Sequence, residues 1–234
     1  MKIIENIFRS SLGKKFIMAV TGFVLFLFVV GHLAGNLQIF LGPEAINRYG
    51  HFLQSNPELI WPARIGLLLM VVLHIWSAIQ LSAENKAARP VAYGQYKPVG
   101  SSYASRTMLM SGIIIFVFIV YHLLHFTAQV QYVNLTGKNF VDFVDPQKRH
   151  DIYTMMIVGF RNPLVSGFYV LGMALLCLHL SHGTSSMFQS IGWKNKAYGP
   201  CLDKLSRLVA LLIFLGYASI PVAILSGYGK AVVP

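Results

Sequence analysis

Five long stretches of this chain contain no charged residue, and they limit the folds that it can adopt. The stretches comprise residues 16–43, 65–83, 107–137, 162–193 and 208–229. A helix of about 20 apolar residues crosses one bilayer, so each stretch is long enough for one crossing. Lipid offers no hydrogen-bond partner to the backbone, which favours helices at these lengths. The sequence therefore predicts an all-α integral membrane protein with five transmembrane helices that form a bundle.

The predicted helices lie within these stretches or close to their ends. We place them near residues 16–37, 62–83, 107–130, 163–183 and 206–228, in a single membrane domain that covers residues 1–234. Pro221 is the one proline well inside a predicted helix and is expected to kink the fifth helix. The first run is too long for a typical signal peptide and four more follow, so we expect it to be retained. The longest loops, near 41–61 and 131–161, are expected to hold short interfacial helices.

Composition and charge placement agree with a membrane protein. The chain is 55% hydrophobic and 12% charged, against about 25% charged residues in a typical soluble domain. Its net charge of +11 comes from Lys and Arg at the ends of apolar runs, which indicates membrane topology rather than nucleic-acid binding. Twelve of these residues, including Arg89 and Lys97, lie on the side of the N-terminus and seven on the other. The N-terminus is therefore expected in the cytoplasm and the C-terminus outside.

Cysteine and glycine motifs restrict the chemistry. Cys177 and Cys201 belong to no CxxC or CxxCH motif, so a zinc site, an iron–sulfur cluster and covalently attached haem are not expected. No GxGxxG or P-loop pattern is present, so the sequence predicts no nucleotide or flavin site and no catalytic residue in this chain.

Histidines inside the predicted spans carry the functional signal. Ionisable residues at membrane depth are costly and mark function by default. Six histidines lie there: His32, His74, His122, His125, His179 and His182. The other two, His51 and His150, fall in the outer loops, where we expect solvated polar side chains. The first four helices each carry at least one histidine within the span.

Depth along the helices sorts these histidines into two groups. At about 1.5 Å rise per residue, His32 and His122 both lie in the outer half of the bilayer. His74 and His179 lie in the middle or inner half. Two imidazoles on facing helices suit a haem iron with both axial positions filled. Structural zinc needs about four ligands, which makes zinc a poorer match. All eight acidic residues fall in loops or termini on this prediction, which argues against a proton or ion transporter.

Two histidine doublets leave the choice of ligand open. His125 and His182 each follow another histidine by three residues, on roughly the same helix face. His122 and His179 lie deeper in the bilayer and are favoured, but either member of a doublet could be the ligand. The remaining histidines would then hydrogen-bond a haem propionate or a quinone carbonyl.

Four histidine-centred segments resemble a known family. They are GHLAGNLQIFLGPEAINRYGHFLQ (31–54), VLHIWSAIQL (72–81), VYHLLHF (120–126) and LHLSHG (178–183). In order and spacing the chain resembles the cytochrome b membrane anchor of succinate dehydrogenase or fumarate reductase. The resemblance is to the single-chain, five-helix, di-haem class and covers nearly the whole chain.

The resemblance implies a site and its partners. It places the axial ligands of two haem b groups at His32 and His122 (outer haem) and at His74 and His179 (inner haem). It implies a flavoprotein subunit with FAD and an iron–sulfur subunit on the cytoplasmic face of a bacterial inner membrane, with menaquinone as the quinone substrate. The complex would belong to the respiratory chain and the tricarboxylic acid cycle, with dicarboxylate chemistry on a partner subunit. Some fumarate-reducing relatives carry a glutamate where this chain has Cys177.

Quinone is expected to reach a haem edge from the lipid. Polar residues near the inner edge (Gln80, Ser82 and Arg106) and near the outer edge (Asn36, Gln38, Gln54 and Arg64) are candidates for its site. They have an alternative interpretation as interfacial anchors or haem-propionate partners. Two rival functions are a cytochrome b component of another quinone-linked complex, such as a hydrogenase or formate dehydrogenase, and a His-rich metal or proton transporter.

Overall fold

The computed structural model describes residues 2–88 and 103–232, and the side chains of residues 6–88 and 103–231. Arg89 and Lys97, which contribute to the predicted topology, lie outside the described residues. Within the described ranges the chain is 83% helical and has no strand. The α-helices are α1 Lys2–Arg9, α2 Ser11–Asn36, α3 Pro43–Gln54, α4 Pro57–Ala87, α5 Tyr103–Arg106, α6 Met108–His122, α7 Ile152–Arg161, α8 Pro163–Ser190 and α9 Gly199–Leu225.

Five of these helices are long and apolar enough to cross a membrane. They are α2 with its 3₁₀ extension (to Leu41), α4, α6 with a π-helical turn (to Thr127), α8 and α9. The five predicted spans are confirmed, and the fold is that of an all-α, multi-pass membrane protein. Large apolar side chains such as Leu68, Ile113 and Leu215 are more than half exposed. Such exposure is unfavourable in water and costs nothing against lipid tails.

The ends of the helices differ from the prediction in two respects. Helix α4 begins at Pro57 rather than near residue 62, because Pro57 suits a first helical position. Pro62 therefore also lies inside a helix, and Pro221 is not the one internal proline. Helices α4 and α9 also extend far enough to contain Glu58, Glu84 and Asp203. The expectation that all acidic residues lie in loops or termini was wrong for these three.

Short helices occupy the two long loops, as predicted. Helix α3 begins at Pro43 and lies in the first loop, while α7 lies in the second. The Asp151 carboxylate caps α7, because it accepts hydrogen bonds from the backbone N–H and the hydroxyl of Thr154 at 3.0 and 2.6 Å. An N-terminal cap of this type stabilises a helix by about 1 kcal/mol.

Contacts group the chain into two compact units. The first unit comprises residues 1–28, 64–113 and 178–210, and the second comprises residues 29–63, 114–177 and 211–234. In the first unit the buried side chains are mostly small or polar, among them Lys14, Thr21, Ser77, Ser111 and Ser185. The second unit has a large apolar core that includes Ile39, Phe118, Ile157, Tyr169 and Ile220.

Candidate functional sites at two histidine pairs

The first unit brings together one histidine from α4 and one from α8. The imidazole centroids of His74 and His179 lie 6.4 Å apart, with 61° between the ring planes. Both side chains are partly buried. Sequence position had grouped these two residues by depth, and the structure places their rings close together within one unit.

Hydroxyl groups from neighbouring helices hold both of these rings. The Thr21 Oγ1 lies 3.1 Å from His74 Nδ1, and the Ser111 Oγ lies 3.1 Å from His179 Nδ1. Each hydroxyl already donates its proton to a backbone carbonyl, of Ile17 and Met108 respectively. With that proton engaged, each hydroxyl oxygen is positioned to accept a hydrogen bond from the imidazole Nδ1–H.

This hydrogen-bond pattern sets the tautomer of the first pair. A neutral imidazole carries one proton, so protonation at Nδ1 leaves the Nε2 lone pair of His74 and His179 free to bind a metal. A partner on the other ring nitrogen is typical of metal-binding histidines, since it fixes the ring and raises its basicity. Sequence reasoning missed Thr21 and Ser111, although polar residues within apolar spans are a signal that could have identified them.

Two glycines make room for the first pair. A Cβ atom at Gly22 would lie 3.2 Å from His74 Cε1, and one at Gly112 would lie 3.7 Å from His179 Cε1. The first of these distances is tighter than ordinary van der Waals contact. The backbones of α2 and α6 therefore come close to the imidazole edges.

The second unit holds the other pair, from α2 and α6. The ring centroids of His32 and His122 are 5.7 Å apart, with 79° between the planes. The Asn36 amide donates to the His32 backbone carbonyl at 2.7 Å. The Tyr217 ring lies 6.2 Å from the His32 ring, while its hydroxyl donates to the carbonyl of Val29 at 2.8 Å.

The spacing within each pair fits one metal bound by two imidazoles. With a metal–nitrogen bond of about 2 Å, two such rings on opposite sides of a metal have centroids about 6–6.5 Å apart. The observed 6.4 Å agrees and 5.7 Å is slightly shorter. Within the described part of the chain, no three His, Cys, Asp or Glu side chains gather into a metal site. Two nitrogens suit a group such as haem, whose ring supplies the other four ligands.

The second members of the doublets lie in different surroundings. His125 lies in the π-helical turn and is fully buried, and its Nδ1 is 3.0 Å from the Tyr169 hydroxyl. His182 is partly buried, and its Nε2 is 3.0 Å from the Ser186 hydroxyl. Of each doublet, the member that lies beside another histidine ring is therefore His122, with His32, or His179, with His74. Their assignment as ligands stays a prediction.

The candidate quinone residues are dispersed. In the first unit, Gln80, Arg64 and Arg106 are exposed and Ser82 is partly buried. In the second unit, Gln54 is exposed at the end of α3 and Asn36 is bonded to the His32 carbonyl. Gln38 lines a cavity of about 350 Å³, whose other lining residues, Ala45, Arg48, Tyr49 and Phe52, the sequence had not singled out.

The two loop histidines differ from each other. His51 is exposed beside Ser55, as expected of a solvated side chain. His150 is partly buried instead, with its Nε2 2.9 Å from the Gln129 amide and its Nδ1 3.2 Å from the carbonyl of Phe143. Burial lowers the pKa of His150 below its ordinary value.

Comparison with known proteins identifies no family for this chain. No protein-family model, curated protein or solved structure matches it. Any functional proposal therefore rests on the two histidine pairs and on the motifs that contain them.

Proposed function

We propose that this chain is the di-haem cytochrome b membrane anchor of a succinate:quinone oxidoreductase. It would pass electrons between an iron–sulfur partner subunit and menaquinone in the membrane. The observation that carries the proposal is the pair of neighbouring imidazoles in each unit, at 6.4 and 5.7 Å. In the first pair, Nδ1 of each ring is already engaged by a hydroxyl group.

The histidines, hydroxyl groups and apolar helices of the site would have different roles. When bound, a haem supplies an iron that gains and loses one electron. His74 and His179 would hold one such iron through Nε2, and His32 and His122 would hold the other. Thr21 and Ser111 keep the first two rings in the required tautomer and orientation. The apolar helices around the pairs exclude water, which affects the reduction potential.

The family resemblance adds partner subunits and a cellular location to the proposed haem sites. The order and spacing of the four histidine segments support a flavoprotein subunit, which carries FAD and the dicarboxylate chemistry, and an iron–sulfur subunit on the cytoplasmic side. They also support a bacterial inner membrane as the location, with the N-terminus in the cytoplasm. The chain would act as part of an enzyme whose substrate site lies elsewhere.

A reduced-minus-oxidised absorption spectrum of the purified protein tests the haem proposal. We expect a b-type α band and two haems per chain by the pyridine haemochrome assay. A protein purified with haem supplied during expression and still lacking the α band would overturn the proposal and favour a metal or proton transporter.

Purification from native membranes tests the identity of the complex. Mild solubilisation and affinity capture should recover a flavoprotein and an iron–sulfur protein, with succinate-dependent reduction of a menaquinone analogue. Recovery of the catalytic chain of a hydrogenase or formate dehydrogenase would leave the haem sites intact but contradict the succinate assignment.

Single substitutions test the ligand assignment within one doublet. We expect His179→Ala to remove one haem, halving the α-band absorbance, while His182→Ala retains both. His74→Ala should have the same effect as His179→Ala, since the two rings form one pair. Retention of both haems in His179→Ala together with a loss in His182→Ala would make His182 the ligand.

A further inference from the structure

The chain makes an unusual turn directly after His122. Residues Leu123–Thr127 form a π-helical turn, in which the backbone N–H of Ala128 donates to the carbonyl of Leu123 at 2.7 Å. Such turns insert one extra residue into the helical register and are frequent at functional sites. Here the turn contains His125, whose side chain is completely buried.

Aromatic rings enclose His125 on several sides. Its ring centroid lies 3.9 Å from that of Phe126, 5.6 Å from that of Phe140 and 5.5 Å from that of Tyr121. A Cβ atom at Gly159 would lie 3.3 Å from His125 Nε2, so helix α7 passes close to this nitrogen. These contacts crowd His125 and make it a poorer candidate for a metal ligand than His122.

One hydroxyl group connects the two histidines of this doublet. The Tyr169 Oη lies 3.3 Å from His122 Nδ1 and 3.0 Å from His125 Nδ1. The phenol has a single proton, so it can donate to one ring and must accept from the other. The hydroxyl, buried with its side chain, thus fixes the two tautomers relative to each other.

A metal held by His122 Nε2 would set the direction of this chain of hydrogen bonds. A ligand nitrogen at Nε2 must be unprotonated, which places the proton of His122 on Nδ1. His122 Nδ1–H then donates to Tyr169, and Tyr169 O–H donates to His125 Nδ1. His125 carries its own proton on Nε2. Among the described groups, that nitrogen has no hydrogen-bond partner.

A buried nitrogen without a hydrogen-bond partner is costly. The presence of His125 at this position therefore indicates a role for the hydrogen-bonded set of His122, Tyr169 and His125. We infer that Tyr169 and His125 are positioning residues that fix the tautomer and orientation of His122 as the ligand of the second haem. The inference rests on the proposed function. On this inference, His125 binds neither the metal nor a haem propionate or a quinone.

Tyr169→Phe provides the main test, because phenylalanine preserves the ring and removes the hydroxyl. We expect both haems to be retained and the midpoint potential of one haem to rise. Without an acceptor for its Nδ1–H, His122 is a weaker base and stabilises the oxidised iron less. The readout is a spectroscopic potentiometric titration of the purified complex, fitted with one midpoint potential for each haem.

Ser111→Ala is the matched control, since it removes the equivalent hydroxyl beside His179. We expect it to raise the potential of the other haem and leave the Tyr169-dependent one unchanged. If Tyr169→Phe leaves both potentials unchanged, or shifts both equally, the inference is wrong even though haem is bound. A wild-type protein without haem would overturn the proposed function and this inference together.

Variants of His125 complete the test. His125→Leu should shift the same haem in the same direction as Tyr169→Phe, because Tyr169 loses its acceptor. His125→Asn should restore most of the wild-type potential, since the amide oxygen can accept from the tyrosine. Loss of one haem in both His125 variants, with its retention in His122→Ala, would instead show that His125 is the ligand.

Discussion

Six histidines lie inside the apolar helices, and their immediate neighbours separate four of them from the other two. The ring pairs are His32 with His122 and His74 with His179, and all four of these side chains are partly buried. His125 is enclosed by aromatic rings, and His182 pairs with a serine of its own helix. The two histidines of each doublet are only three residues apart, but one lies beside another histidine ring and the other does not.

The space beside His74 supports a prediction for a single glycine. We expect Gly22→Leu to remove the haem proposed for His74 and His179, halving the α-band absorbance, because its Cβ alone would lie 3.2 Å from His74 Cε1. The larger side chain must displace the imidazole. The measurement is haem content per purified chain.

Gly167→Leu is the matched control for this substitution. Gly167 lies on an exposed face of α8 with no atom within 4 Å of an added Cβ, so both haems should remain. The haem proposed for His32 and His122 serves as an internal check of folding in the Gly22 variant. Two haems in Gly22→Leu would contradict the assignment of His74 as a ligand.

At the scale of elements, a buried asparagine ties α3 to the beginning of α7. The Asn47 Oδ1 accepts from the backbone N–H of Tyr153 at 3.0 Å, and its Nδ2 donates to the Asp151 carboxylate at 3.0 Å. Asn47 is only 1% exposed, so water cannot replace these bonds. This one side chain thus makes polar contacts with both the cap and the first turn of α7.

We therefore expect Asn47→Ala to destabilise the protein by about 1–3 kcal/mol, the cost of leaving a buried N–H without a partner. The reduction should appear as a lower Tm in detergent by differential scanning fluorimetry. Asn56→Ala is the control, since that amide donates to the carbonyl of Phe52, four residues earlier in the last turn of α3. Equal effects of the two substitutions would argue against the proposed tie.

An ionic network lies in the same loops. Arg149 binds the Asp145 carboxylate at 2.7 Å and the Glu44 carboxylate at 2.6 Å. The hydrogen bond from Arg149 lowers the pKa of Glu44. Burial acts to raise the pKa of Asp145, but hydrogen bonds from Arg149 outweigh it and hold the value below its usual range.

These shifts predict acid sensitivity. A carboxyl group whose pKa is lowered in the folded state stabilises the fold at pH values above its unfolded pKa, which is about 4. This contribution is lost as the pH falls through the folded pKa. His150 adds a loss of stability that begins below about pH 6.5. Its pKa is lowered in the folded state, so protonation favours the unfolded chain.

Measuring Tm between pH 8 and pH 3 checks both contributions. We expect Asp145→Asn to lower Tm at pH 7 and to flatten the decline below about pH 4, while the decline that begins below about pH 6.5 persists. Asp142→Asn, at an exposed position nearby, should leave the profile unchanged. A wild-type Tm that is constant down to pH 3 would refute this account of the network.

At the scale of the whole molecule, a native cysteine can report the orientation of the chain. Cys201 is exposed in the first turn of α9, whereas Cys177 lies within α8 and is partly buried. The predicted topology places Cys201 on the cytoplasmic side. A membrane-impermeant maleimide should therefore label it in inverted vesicles and leave it unlabelled in right-side-out vesicles.

Two steps make the labelling result specific. The vesicles are first washed with a chaotrope, which removes any proteins bound to the membrane surface. Cys201→Ser should then abolish labelling, because it leaves only Cys177. Labelling of wild-type protein in right-side-out vesicles alone would reverse the predicted orientation.

The sequence by itself determined the five spans, the two loop helices and the positions of the histidines. These features depend on the length of apolar runs and on the cost of ionisable groups in lipid, both of which are local properties. The ends of the helices were less well determined. Pro57 extended α4 far enough to include Pro62, and Glu84 became part of the same helix.

Only the tertiary structure decided which groups hold the imidazoles. Thr21 and His74 are 53 residues apart in the chain, Ser111 and His179 are 68 apart, and His122 and Tyr169 are 47 apart. No periodicity connects such positions. A hydrogen bond depends on distances of about 3 Å and on direction, which helix packing and one π-helical turn set after the spans have formed.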